Sequence, residues 1–309
     1  MKRRSFLSAC VALASVLVAK RVAAASPVFL DYDQEQLNAA YDQSLWAPQM
    51  AELEANFGIT SAAVRRSMPP VTRQYGPAGS DLIDIFAPAK ADRVPVLVFV
   101  HGGAWTENSK EDASFPAPTF VGRGAAYLAP DFGSLKTMRL PQMVDNCRRA
   151  LEWTVRNATS FGGDPGRVFL AGHSSGAHLA ACVLTTDWAA RGLPADAIKG
   201  GFLMSGMYDL YPVMLSSRSS YLHLTPAEVI EFSPIRHLDR ITCPIAVLSA
   251  DEDSPEFKRQ SDVFADALKG MGRLASRTVV FDANHFQELE RLAHADSAVS
   301  RAAFALMGV

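Results

Sequence analysis

Cysteine is scarce in this chain: four residues among 309, none of them in a C-x-x-C pair. That spacing argues against a zinc ribbon or a thioredoxin-like centre, and leaves no disulfide framework to stabilise the fold. No basic run occurs in the body of the sequence, so nucleic acid and anionic membrane surfaces are not expected as partners. Internal repeats, heptads and low-complexity linkers are missing too, which removes solenoids and coiled coils. The apolar run at residues 6–19 is too short to cross about 30 Å of hydrocarbon, so no stable membrane anchor is expected. What remains is a chain with 49% apolar and 20% charged residues, the balance of a globular protein held by its own core.

The amino terminus has a different character. Lys2, Arg3 and Arg4 precede the apolar run, and Ala23, Ala24 and Ala25 precede Ser26. A basic end, a short greasy middle and a small-residue exit form an export signal. The adjacent arginines, with Lys20 and Arg21 before the cut, fit its twin-arginine form. The expected mature chain starts at residue 26, as a single domain in the periplasm or outside the cell. It keeps 25 basic residues (30 less the five in the signal) against 32 acidic, a net charge of −7. Of its three cysteines, Cys147, Cys182 and Cys243, free buried thiols are expected.

Hydrophobic patterning predicts the architecture. Residues 31–66 have helical periodicity, ended by Met68, Pro69 and Pro70. Short alternating segments follow at 71–75 and 82–86. Continuous apolar runs then recur at 94–100, 125–128, 168–171, 201–204, 245–248 and 278–281. Runs of this kind suit strands buried on both faces, as in a parallel sheet covered by helices. Helical stretches at 140–158 and 176–191 lie between them. The alternation predicts an α/β fold with a mostly parallel central sheet, whose ligands bind beyond the carboxyl ends of the strands. Residues 207–239 lack clean periodicity and form a possible cap.

Residues with chemical potential stand just after those runs. Gly172-His173-Ser174-Ser175-Gly176 falls at a strand-to-helix junction, where G-x-S-x-G makes a nucleophile elbow. Its serine occupies a strained turn and its glycines sit where a side chain would strike backbone. A serine nucleophile needs a base, and imidazole titrates near neutrality. Of seven histidines, His285 follows the last strand run and is the expected base, whereas His178 is expected to pack. The acid that orients the base should follow the run at 245–248, where Asp251 and Asp253 both stand. His101-Gly102-Gly103-Ala104-Trp105 follows the run at 94–100, and its glycines let backbone N–H groups approach a substrate oxygen. The N–H groups of Gly103, Ala104 and Ser175 are the expected oxyanion donors. Trp105, Tyr208 and Phe286 are the expected pocket residues.

Taken in order, these motifs resemble the arylformamidase (kynurenine formamidase) and hormone-sensitive-lipase-like esterase group of α/β-hydrolases. His101 to Trp105 matches that group's H-G-G-x-W, and the segment around Ser174 is similar to its nucleophile segment. Ser205-Gly206-Met207-Tyr208-Asp209-Leu210, Phe232-Ser233-Pro234-Ile235, Asp253-Ser254-Pro255-Glu256-Phe257 and Asn284-His285-Phe286 look like its later landmarks. The resemblance favours Asp253 over Asp251 and implies a Ser174, Asp253, His285 triad. It also implies acyl transfer from a small ester or activated amide to water, without metal or cofactor. Residues 131–137 depart from the group's shorter pattern, so the resemblance does not select between an aryl formamide and an ester.

Overall fold

A computed structural model of the protein describes residues 26–309. The export signal expected at residues 1–25 lies outside the described residues. Eight strands form one sheet: β1 (Val71–Gln74), β2 (Leu82–Phe86), β3 (Val94–Val100), β4 (Ala126–Pro130), β5 (Gly163–His173), β6 (Gly200–Met204), β7 (Ile245–Ala250) and β8 (Leu274–Val280). Their spatial order is β1-β2-β4-β3-β5-β6-β7-β8. The first two pairings, β1 with β2 and β2 with β4, are antiparallel. The other five are parallel.

Period-two alternation explains why the central strands read as unbroken apolar runs. Along β3, Val96, Val98 and Val100 enter one buried cluster, while Leu97 and Phe99 enter another. Both faces of the strand are therefore dry, and each needs its own cover. The first cluster is covered by α4 (Leu140–Asn157), α5 (Ser175–Leu184) and α9 (Pro255–Gly270). The second is covered by α2 (Met50–Ser67), α3 (Ala117–Val121), α10 (His285–Glu290) and α11 (Ala298–Met307). Fully burying one such aliphatic or aromatic side chain is worth roughly 1.5–3 kcal/mol, so the two layers hold the sheet without a covalent staple. Cys147, Cys182 and Cys243 are free and buried.

The chain leaves β3 toward β4 on one side and then returns to place β5 on the other. The carboxyl ends of β3 and β5 thus flank the point where the winding reverses, the crevice in which α/β sheets hold ligands. Residues 31–66 form two helices, α1 (Gln34–Ala40) and α2, separated by the short 3-10 turn Gln43–Leu45. Between β6 and β7, residues 207–239 fold as three short helices, α6 (Leu210–Leu215), α7 (Ser219–Leu222) and α8 (Pro226–Glu231), followed by 3-10 turns. Among the described residues no helix is long and apolar enough to cross a membrane.

Candidate active site

Ser174 sits between β5 and α5 with φ 57° and ψ −125°, a conformation that costs an ordinary residue about 1–3 kcal/mol. Glycine neighbours make the turn possible. A Cβ on Gly172 would collide with the carbonyl of Gly176, and one on Gly176 with the carbonyls of Val100 and His101. The tight reversal leaves Ser174 at the amino end of α5, where unpaired N–H groups carry partial positive charge.

The loop after β3 lies against this serine. A Cβ on Gly102 would come within 3.2 Å of Ser174 Cβ. Three successive residues, Gly103, Ala104 and Trp105, have positive φ of 111°, 51° and 62°. The N–H groups of Gly103 and Ala104 reach no acceptor among the described residues. The next one, of Trp105, donates to Ser175 Oγ at 3.2 Å and ties the loop to the elbow. His101 turns inward, its Nδ1–H donating to the carbonyl of Gly102 at 2.8 Å. Burial lowers its pKa.

His285 begins α10, capped by Asn284, and is buried. Its Nδ1 lies 3.1 Å from Asp253 Oδ2. The other oxygen of Asp253 accepts the N–H of Ser254 and Nε2–H of Gln43, each at 2.8 Å. Burial alone would push the Asp253 carboxyl up. The imidazole of His285, helped by the Gln43 amide, outweighs it and holds the group below the usual carboxylate range. Asp251 accepts instead from the N–H groups of Asp282 and Ala283, both at 3.2 Å. It shapes the loop that presents His285 without touching its ring.

Two other histidines brace this arrangement as neutral rings. His173 Nε2–H donates to the carbonyl of His285 at 2.9 Å. Burial, then the nearby charge of His285, brings the His173 pKa down to about 3. His178 donates from Nε2 to the carbonyl of Phe232 at 2.8 Å and accepts Trp105 Nε1–H on Nδ1 at 3.2 Å. Burial brings it down to about 4. Both its nitrogens are engaged, which fits the packing role expected for it.

Ser174 and His285 open onto one cavity of about 370 Å³. Its floor is Gly102, Gly103 and Ala104, with Phe286 and Leu289 beside the imidazole. Ser174 Oγ and His285 Nε2 have no hydrogen-bond partner among the described residues, and free sites commonly hold such pairs loosely.

The BD-FAE family model matches residues 83–193. Kynurenine formamidase of Danio rerio is 32% identical, with the alignment covering 84% of this chain and 91% of that protein. The enzyme of the same name from Salmo salar is 28% identical over 90% of this chain and 98% of that one. The chain belongs to the kynurenine formamidase family. It is an α/β-hydrolase of the arylformamidase and hormone-sensitive-lipase-like esterase group, and its activity is that of an esterase- or formamidase-type hydrolase acting on a small molecule. A solved Pyrobaculum calidifontis esterase shares the fold, with TM-score 0.68 and 20% identity over 89% of this chain and 98% of that one.

Within this hydrolase, two expected pocket residues lie elsewhere. Trp105 is 2% exposed, directed backward onto His178 with ring centroids 5.4 Å apart. Tyr208 is wholly buried and stacks on Phe264 at 4.0 Å. Both are core residues. Each is a large aromatic beside a reactive motif, and a sequence does not reveal on which side of the backbone the ring will fall. Of the three, only Phe286 lines the cavity. The wall comes largely from the amino-terminal segment instead: Tyr41 to Ser44, then Met50, Glu54 and Phe57 of α2. From the expected cap, Ser217, Arg218 and Tyr221 reach it. Phe57 stacks on Phe115 at 4.9 Å, giving the wall an aromatic patch. Burial pushes the Glu54 carboxyl up, against the pull of His285. No motif marks these residues.

Proposed function

We propose that the chain is a serine hydrolase for aryl formamides and short aryl esters, working through Ser174, His285 and Asp253. Ser174 Oγ attacks the carbonyl carbon while its proton passes to His285 Nε2. Asp253 Oδ2 holds Nδ1–H and stabilises the imidazolium. The oxyanion accepts hydrogen bonds from the N–H groups of Gly103, Ala104 and Ser175. His285 then protonates the departing amine or alcohol. A water that gives its proton to the same nitrogen cleaves the acyl-enzyme and restores Ser174.

The observation that carries this reading is the buried His285–Asp253 pair, opening on the same cavity as a serine held at φ 57°. The aromatic wall supports an aryl leaving group, and the relatives' names support a formamide. The test sets N-formylkynurenine beside p-nitrophenyl esters from acetate to hexanoate, in wild type and Ser174→Ala. The variant is expected to lose at least about a thousandfold in kcat. Wild-type protein should take up one fluorophosphonate at Ser174. Near-normal turnover by a well-folded Ser174→Ala would refute the serine assignment. Ester turnover with none on the formamide would leave a carboxylesterase.

A further inference from the structure

The side chain of Gln43 makes a contact that spans 210 residues of sequence. It lies in the turn between α1 and α2, is 6% exposed, and donates Nε2–H to Asp253 Oδ1 at 2.8 Å. Its other amide atom, Oε1, is buried and without a partner among the described residues. A buried carbonyl without a donor is unfavourable and calls for an explanation. Turning the amide over would set Oε1 against the carboxylate oxygen, acceptor against acceptor. The amide orientation is therefore dictated by Asp253, at the expense of its own oxygen.

We propose that Gln43 is a positioning residue for the hydrolysis, fixing Asp253 so that Oδ2 alone faces the imidazole. This rests on the reading of Asp253 as the orienting acid. With Gln43 and the N–H of Ser254 on Oδ1, the carboxylate cannot rotate to offer His285 a different oxygen. Part of its charge is also spent on those donors, so the imidazolium is not held too tightly to return its proton.

The segment around Gln43 is itself secured from several directions. Ser254 Oγ donates to the carbonyl of Ala40 at 2.7 Å. Arg218 Nη2 donates to the carbonyl of Tyr41 at 2.6 Å. The Tyr41 hydroxyl donates to Glu256 Oε2 at 2.9 Å and accepts Nε2–H of Gln260 at 2.8 Å. Four anchors thus hold this segment: two from α9, one from its N-cap residue Ser254, and one from Arg218 just ahead of α7.

The experiment compares Gln43→Met, which keeps the length and removes the donor, with Gln43→Asn, whose amide is one methylene short. With its donor gone, Asp253 keeps more charge for the imidazolium, so the acidic limb of the kcat/KM profile moves to higher pH. A drop in kcat of about ten- to a hundredfold should accompany it, with KM within about twofold. The other ionisable groups around the pair are His173 at the end of β5, Glu54 on α2, Glu288 on α10 and Glu256 on α9, and none of them is altered in either variant. A merely structural glutamine would lower the melting temperature and leave the limb in place. If Gln43→Met fails to fold, Gln43→Asn decides by the same readings. Unchanged kcat and limb in the folded variant, with Asp253→Asn inactive, would overturn the role of Gln43 and leave the triad standing. Near-normal activity of Asp253→Asn would remove the triad reading, and this inference with it.

Discussion

Two carboxylates after β7, two positions apart, have separate tasks. Asp251 receives two backbone N–H groups and fixes the turn before His285. Asp253, fully buried, receives the ring itself. Replacing the second with asparagine keeps the shape but removes the charge that an imidazolium needs. Asp253→Asn is accordingly expected to lose about 10³–10⁴-fold in kcat. Asp251→Asn, which still offers an acceptor to the loop, should lose less than about tenfold and cost about 1 kcal/mol in stability. Steady-state kinetics with a denaturant melt on the two proteins checks the contrast. Equal losses would mean that the loop, and not its second acid, governs the imidazole.

At the scale of elements, the candidate reacting groups and the chamber wall have different supports. Strand ends and the loops that follow them carry Ser174, the Gly103–Ala104 turn and Asp253, while α2 and α7 enclose the space opposite. The wall should therefore act on substrate binding more than on the chemical step. Phe57→Ala, which removes the aromatic patch shared with Phe115, is expected to raise KM for aryl substrates about tenfold with kcat within about twofold. A fall in kcat at unchanged KM would contradict that division. The same division explains how far the sequence could be read. Strands β3 to β7 announce themselves as apolar runs because both their faces are covered, and the elbow does so because its glycines have no substitute. The edge strand β8 is legible only in part, since it is half-exposed along most of its length. Gln43 and Phe57 left no local pattern: one works through a single polar contact with a distant loop, and the other is an apolar helix residue like any core residue. Trp105 and Tyr208 stand beside reactive motifs, yet proximity along the chain says nothing of the direction of a side chain.

For the molecule as a whole, one buried acid links stability to pH. Glu288, on α10, is fully buried, accepts a hydrogen bond from Ser205 on Oε2, and leaves Oε1 without a partner among the described residues. Burial first, then the charge of Asp253, raises its pKa to about 8 despite the Ser205 donor. An unfolded glutamate releases its proton near 4.3. Between roughly pH 4.5 and pH 8 the folded protein thus holds a proton that the unfolded chain has given up. From this group, stability is highest below that window, declines as pH rises through it, and levels off above. The difference is on the order of a few kcal/mol. Glu288→Gln, a neutral mimic of the protonated acid, should remove this contribution, so the melting temperature of the wild type relative to the variant should fall from pH 5 to pH 8. A variant whose melting curve keeps the wild-type slope would exclude Glu288 as its source.

The short turn at Gln43 to Leu45 has one more consequence. It reaches from the first helices to an acid more than two hundred positions later, so if Gln43 positions Asp253, turnover is tied to a junction far from the strands of the sheet. A slackening there is expected to lower kcat by about the ten- to a hundredfold foreseen for Gln43→Met, while circular dichroism stays native. On that reading, activity is a stricter gauge of an intact chain than any bulk spectrum.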